Sequence, residues 1–134
     1  MQKLYSKIRL VIVALLCCPA SGFASEKLPD CVDESFHNCF GNALFENGDK
    51  YTGNFQNGKA NGYGFAVFSN GDTYAGDWKD WVFQGKGTLK YANGEEYKGQ
   101  FFDGMRHGDG TLFSTNGDEL SGSWHKDNPP EKTN

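Results

Sequence analysis

From Cys39 to His125 bulky and small residues alternate with polar ones, and the alternation restarts on a fixed period. Tyr51, Gly53 and Phe55 fall on one face of a strand, as do Tyr74, Gly76 and Trp78, and Tyr97, Gly99 and Phe101, while the residues between them face the other way. The same alternation runs through Gly64, Ala66 and Phe68 and through Gly87, Leu89 and Tyr91. Asn-Gly separates the runs at Asn47-Gly48, Asn70-Gly71, Asn93-Gly94 and Asn116-Gly117, a spacing of 23 residues each time. This predicts two-residue type I′ turns, whose central residues both need positive φ. They join strands such as Cys39 to Glu46 and Asp49 to Gln56, with longer loops such as Asn57 to Asn61 at the opposite edge. The pattern predicts eight strands in up-and-down order between residues 39 and 125. Full units cover 47–69, 70–92 and 93–115, with half units on either side.

Glycine is as periodic as the aromatics. Beyond residue 24 all 17 glycines occupy five positions of the 23-residue grid, including the Gly-x-Gly pairs Gly62/Gly64, Gly85/Gly87 and Gly108/Gly110. A glycine in a strand lets a neighbouring ring lie over the backbone. Both isoleucines, Ile8 and Ile12, lie near the start, so a large aliphatic core is excluded, and glycine interrupts every helical window. What remains is a thin, turn-rich all-β structure.

The pattern Y-x-G-x-[FW]-x-x-G-x-x-x-G-x-G-x-x-x-[FY], with Asn-Gly-acid before it, resembles the MORN repeat over about residues 39 to 125. The matching positions are Tyr51, Gly53, Phe55, Gly58, Gly62 and Gly64 and their equivalents 23 and 46 residues on. The Leu28-Pro29-Asp30-Cys31 to Asn38-Cys39 segment resembles the leader of small exported bacterial MORN proteins. Trp81 stands where Gly58 and Gly104 stand, Leu120 replaces the tyrosine, and Ser114 replaces the aromatic of Phe45, Phe68 and Tyr91. The resemblance implies an elongated antiparallel meander of tandem hairpins, contacts to protein or lipid, and no chemistry of its own.

The first 24 residues read as a signal peptide. Lys3, Lys7 and Arg9 precede the apolar run Leu10 to Cys18, and Gly22 and Ala24 suit cleavage before Ser25. An uncleaved anchor would need a longer span. Lipidation is disfavoured because Leu16 and Cys17, rather than Gly or Ala, precede Cys17 and Cys18. Residues 25–38 form an N-terminal cap segment, and 126–134 a polar, disordered tail. Export leaves Cys31 and Cys39, an even pair that predicts a disulfide; a metal site built from them and His37 lacks a fourth ligand. Loss of Lys3, Lys7 and Arg9 takes 13 basic residues to ten against 17 acidic, and the net charge from −4 to −7. That repels nucleic acid and anionic lipid, so neither is expected as the principal partner.

No nucleophile, base and oxyanion set emerges. His37, His107 and His125 are scattered along the repeats, and the Gly-x-Gly pairs precede strands instead of helix N-termini, so they are not phosphate loops. The acids Asp49, Asp72, Glu95 and Asp118 form a ladder, read as solvated strand starts in preference to a calcium ladder. No enzyme, cofactor or metal is expected. The expected function is an exported scaffold for a protein partner not named by the sequence, with phospholipid-surface binding as the alternative. The edge strand 118–125 is expected to stay frayed or to pair with another chain, which allows a homodimer. The loop Asp80-Trp81-Val82-Phe83-Gln84 carries three large apolar residues where its counterparts are polar and small. Trp81, Val82, Phe83 and Met105 are therefore candidate partner contacts. The competing readings are that they fold back onto neighbouring loops, or dip into a membrane.

Overall fold

The computed structural model describes residues 29–31 and 36–131. The leader, most of the 25–38 segment and the last three residues lie outside the described residues. Eight strands form one open antiparallel sheet in sequence order: β1 Cys39–Leu44, β2 Lys50–Gln56, β3 Lys59–Val67, β4 Thr73–Lys79, β5 Val82–Lys90, β6 Glu96–Phe102, β7 Met105–Phe113 and β8 Glu119–Trp124.

The two kinds of turn exchange the roles expected of them. At Asn47-Gly48 the loop has three residues: the Gly48 amide donates to the Phe45 carbonyl (2.9 Å) and the Phe45 amide to the Asp49 carbonyl (2.9 Å). Only Gly48 takes positive φ, 91°. This is a type I turn closed by a left-handed glycine. Asn47 stays right-handed because its side chain is engaged, Oδ1 accepting from the Asp49 amide (3.1 Å) and Nδ2 donating to the Asp49 carboxylate (2.7 Å). Asn70, Asn93 and Asn116 repeat both bonds. The two-residue turns with both φ positive lie at the other edge, at Asn57-Gly58, Asp80-Trp81 and Asp103-Gly104. The segments after them are the starts of β3, β5 and β7, not loops. The surplus residues are absorbed as bulges, where the register shifts opposite Asn54, Asp77 and Gln100.

One glycine from each strand lines up across the whole sheet: Gly41, Gly53, Gly64, Gly76, Gly87, Gly99, Gly110 and Gly122 are successive partners. The tyrosine rings lie on this row. A Cβ on Gly64 would meet the Tyr51 ring at 2.4 Å, and one on Gly110 would meet the Tyr97 hydroxyl at 2.1 Å. The hydroxyls of Tyr51, Tyr74 and Tyr97 donate to the carbonyls of Asn54, Asp77 and Gln100, the residues that the bulges leave unpartnered in the register. The Trp78 and Trp124 indoles donate to the carbonyls of Gly64 and Gly110. Tyr51, Tyr74 and Tyr97 are thus buried without an unsatisfied hydroxyl.

Both ends of the glycine row are covered. At the start, a Cβ on Gly41 would meet Cys31 Sγ and the Phe36 ring, and Cys31 is disulfide-bonded to Cys39. At the end, a Cβ on Gly122 would meet Pro130 at 2.6 Å. The expected disordered tail is therefore corrected for residues 126–131: Lys126-Asp127 makes a further turn with both φ positive, and His125 and Asn128 exchange backbone hydrogen bonds. Pro129 and Pro130 stop a ninth strand because they offer no amide. Among the described residues no strand pairs with the outer side of β8.

Candidate functional site

The buried residues share one face, but they are unevenly distributed. Phe36, Cys39, Ala43, Phe45, Tyr51, Phe55, Ala60, Ala66, Phe68, Tyr74, Trp78 and Phe83 are buried; after Phe83, among the described residues, only the apolar side chains of Tyr97, Phe101 and Trp124 are. The cause lies in residues off the repeat pattern. Trp81 occupies a left-handed position, φ 68°, where its counterparts are Gly58 and Gly104. Its ring folds back over the preceding unit, edge-on to Phe45, Tyr51 and Phe55 with centroids 5.3, 5.4 and 5.6 Å apart. Phe83 is 8% exposed and stacks on Tyr74 at 3.8 Å. Neither is a free anchor. Both complete the core, Trp81 by covering the preceding unit. Val82 and Met105 pair with Lys79 and Phe102 at the starts of their strands, so the four expected contact residues do not form one exposed patch.

One unit further on the cover comes from a different position: Phe83 lies against Phe68, Tyr74 and Trp78, the counterparts of Phe45, Tyr51 and Phe55, with centroids 5.9, 3.8 and 4.9 Å away. Gly104 takes the place of Trp81, and its amide donates to the Phe83 carbonyl as that of Trp81 donates to Ala60. A hollow of about 360 Å³ opens there between Phe68, Phe83, Leu89 and Tyr91, with Asn70 and Asp72 at one end and Arg106 and Asp127 at the other. Arg106 stands at the repeat position of Ala60 and Phe83. Its guanidinium lies 4.5 Å from the Trp124 ring centroid. Asp127 holds it there, Nε to Oδ1 at 3.1 Å and Nη2 to the Asp127 carbonyl at 3.1 Å. The cation is thus turned onto Trp124, and the hollow is lined by polar and apolar groups alike. Burial raises the pKa of the Tyr91 phenol above its ordinary value, with Arg106 opposing the rise, so Tyr91 presents a neutral hydroxyl.

The acid ladder is structural in its first two members. Asp49 Oδ1 accepts from the Ser69 amide (2.7 Å) and Asp72 Oδ1 from the Ala92 amide (2.8 Å), so each carboxylate ties its unit to the next. Asp49 is buried, 4% exposed, whereas Asp72 stands at the open hollow. Glu95, one methylene longer, bonds within its own turn to Asn93. Among the described residues no group of three or more His, Cys, Asp or Glu side chains is placed to hold a metal.

The family model for the MORN repeat matches residues 51–73, 74–96 and 97–119, three consecutive units that together span just over half of the chain. The chain belongs to the MORN-repeat family. No curated protein matches it. The MORN repeat is a non-enzymatic module, and tandem MORN repeats mark a repeat-based binding module. In this MORN protein the motif residues Tyr51, Tyr74 and Tyr97, with Phe55, Trp78 and Phe101, are buried framework. The surface that differs from unit to unit is set by the positions of Gly58, Trp81 and Gly104 and of Ala60, Phe83 and Arg106. Arg106, Asp127 and the hollow were missed in the sequence. The available signal was that Gly104 returns to glycine directly after a unit that needs Trp81.

Proposed function

We propose that this MORN protein is an exported, non-enzymatic scaffold that holds a protein partner against the C-terminal half of its aromatic face. The open hollow beside Gly104 carries this reading. It is lined by the partly buried Leu89 and Tyr91 beside Phe68 and Phe83, with Asn70, Asp72, Arg106 and Asp127 around them. A concave site with apolar walls and a few convergent polar groups is the default candidate for binding. The Cys31–Cys39 disulfide is consistent with an oxidising compartment, and the leader-like residues 1–24 are consistent with export to the periplasm or the cell exterior.

Site-specific photo-crosslinking in exporting cells tests the proposal. A crosslinker at exposed Ala92, next to the hollow, should give a discrete protein adduct in the exported fraction. One at exposed Ser121, on the opposite face, should not. Adducts to lipid alone, or equal protein adducts from both positions, would overturn the reading, as would a full-length chain that keeps its leader and stays in the cytoplasm.

A further inference from the structure

We infer that the outer face of β2 and β3 binds a neutral oligosaccharide, with Tyr63 and Phe65 stacking on sugar rings and a cleft of side-chain amides taking the hydroxyls. The site lies on the face opposite the buried aromatic layer, so it stands apart from the partner surface proposed above.

The sequence puts two aromatic rings where the repeat does not call for them. Gly64 and Ala66 are buried on the inner face, so Tyr63 and Phe65 point to the other one. Tyr63 is 61% exposed and Phe65 44%. Their neighbours across the ladder are small or polar: Asp77 beside Tyr63, Thr52 and Ala75 beside Phe65. The rings thus keep accessible faces, about 7 Å apart along one strand. The equivalent positions 23 and 46 residues on hold Lys86 and Thr88, then Asp109 and Thr111. The pair therefore serves no need of the fold that the three units share.

A cleft of about 320 Å³ adjoins the rings, lined by Asn38, Asn54, Phe55, Gln56, Asn61 and Gly62. In a chain with 13 basic and 17 acidic residues, no charged side chain among the described residues lines it. Its polar side chains are all carboxamides. Asn61 donates to Asp80 through Nδ2 and keeps Oδ1 as an acceptor. Asn54 keeps both of its groups. Its counterparts close their bulges, Asp77 accepting from the Lys86 amide (3.1 Å) and Gln100 from the Asp109 amide (3.3 Å). Among the described residues the Asn54 carboxamide makes no such bond and lies against Gly62, where a Cβ would meet its Nδ2 at 3.1 Å.

Open ring faces beside uncharged amides match the chemistry of a sugar. A pyranose packs its C–H face on an aromatic ring and presents hydroxyls at its rim. A hydroxyl both donates and accepts, and a carboxamide answers it in either sense. A cleft without fixed charge is no complement to an anionic headgroup or a basic peptide. From Asn61 to Phe65 the site runs about 13 Å along β3, longer than a single sugar ring. Two rings in a straight row suit an extended, β-linked chain.

The test is a titration of the disulfide-intact chain with cellotriose and with chitotriose, read by amide chemical shifts. At least one trisaccharide should shift Asn54, Tyr63 and Phe65 saturably and leave Lys86 and Thr88 unmoved. Tyr63→Ala, at an exposed position, should weaken binding about tenfold without changing the melt. Asn54→Asp, which gives the first bulge the closing residue of the second, should weaken it about fivefold. Lys86→Ala, at the counterpart of Tyr63, should leave it unchanged. Absence of saturable shifts with either sugar, or Tyr63→Ala binding like the native chain, would overturn the inference. So would shifts of the same amides on dilution of the chain, or with phosphatidylcholine vesicles, when neither sugar moves them: the occupant would then be a second copy or a lipid surface.

Discussion

The sheet has two halves built on the same motif and finished differently. From β1 to β4 the aromatic face is covered: Phe36 at the start, the disulfide over Gly41, and Trp81 across Phe45, Tyr51 and Phe55. From β5 to β8 the tyrosine at the centre is buried just as well, yet Leu89, Tyr91, Leu112 and Leu120 are only partly buried. The motif residues are therefore not what distinguishes the halves. Tyrosine over paired glycines makes a single-layer sheet stable in any unit, because the ring supplies the packing that a second layer would otherwise provide. Whether that face is sealed or left open is decided at two positions the motif does not specify: the second residue of the tight turn, and the residue two places after it.

The largest expected effect strikes what the halves share. Gly87→Ala places a methyl 2.4 Å from the Tyr74 hydroxyl, so the ring must leave its site. Chemical denaturation should show a loss of about 3 kcal/mol or more. Gly117→Ala meets nothing within 4 Å and carries only the left-handed backbone cost, about 1–2 kcal/mol. Equal losses would mean that the tyrosine–glycine contact is not the source of stability.

The covering itself gives the next effect. Trp81→Ala should destabilise the chain by about 2–3 kcal/mol, below the usual range for a buried tryptophan because the ring is only partly buried and its left-handed backbone is strained. The loss should appear as faster amide exchange in β1 and β2 while β6 and β7 are unchanged. A loss spread over all eight strands would erase the distinction between the halves.

The acid ladder tests the same boundary with a polar probe. Asp49→Ala removes a buried carboxylate from the Ser69 amide and should cost about 1–3 kcal/mol; Asp72→Ala, at the open hollow, should cost about 1 kcal/mol or less. Thermal melts of the two variants check the order. A reversal would show that Asp72, not Asp49, bears the connection between units.

Much of this was legible in the chain and some was not, for reasons that can be named. The 23-residue period, the shared face of Tyr51, Gly53 and Phe55, and the strand count follow from alternation, which is local. The turns misled because Asn47-Gly48 and Asn57-Gly58 are the same dipeptide in two geometries. Asp49, two residues after Asn47, engages the Asn47 side chain and keeps it right-handed, while the bulge at Gly62 lets β3 begin directly after Gly58. The destination of Trp81 was hidden because its ring partners lie 26 to 36 residues earlier, beyond any local window. The hollow was hidden for the same reason: Leu89 and Tyr91 meet Arg106 and Asp127 from 15 to 38 residues away.

Alkaline pH acts on the buried tyrosines in both halves. Burial pushes the Tyr97 hydroxyl up to about 12 from an ordinary value of 10.0, and those of Tyr51 and Tyr74 further in the same direction. In the unfolded chain these phenols ionise near 10, so stability is fully present below that pH and is lost as pH rises through 10 toward and beyond the folded values. Denaturation midpoints should be flat from pH 7 to 9 and fall above 10. Tyr97→Phe should begin lower, having lost the bond to Gln100, and fall less steeply. Identical slopes would remove Tyr97 from the account.

The smallest effect is the most local. In the last half unit Leu120 stands where tyrosine stands in the others, and the space over Gly122 that a tyrosine ring would take is held by Pro130. The two are alternatives: a hydroxyphenyl ring over Gly122 and the Pro130 ring cannot occupy the same volume. Leu120→Tyr therefore gains the ring that its counterparts have and loses the folded-back tail. The net change in stability should stay within about 1 kcal/mol. The readout that decides is the tail. Contacts between Pro130 and Gly122 in a nuclear Overhauser spectrum should disappear, and protease cleavage after Lys126 should accelerate severalfold. A variant that keeps the Pro130 contact, with the new tyrosine turned out to solvent, would show that the C-terminal cap is stronger than the repeat it replaces.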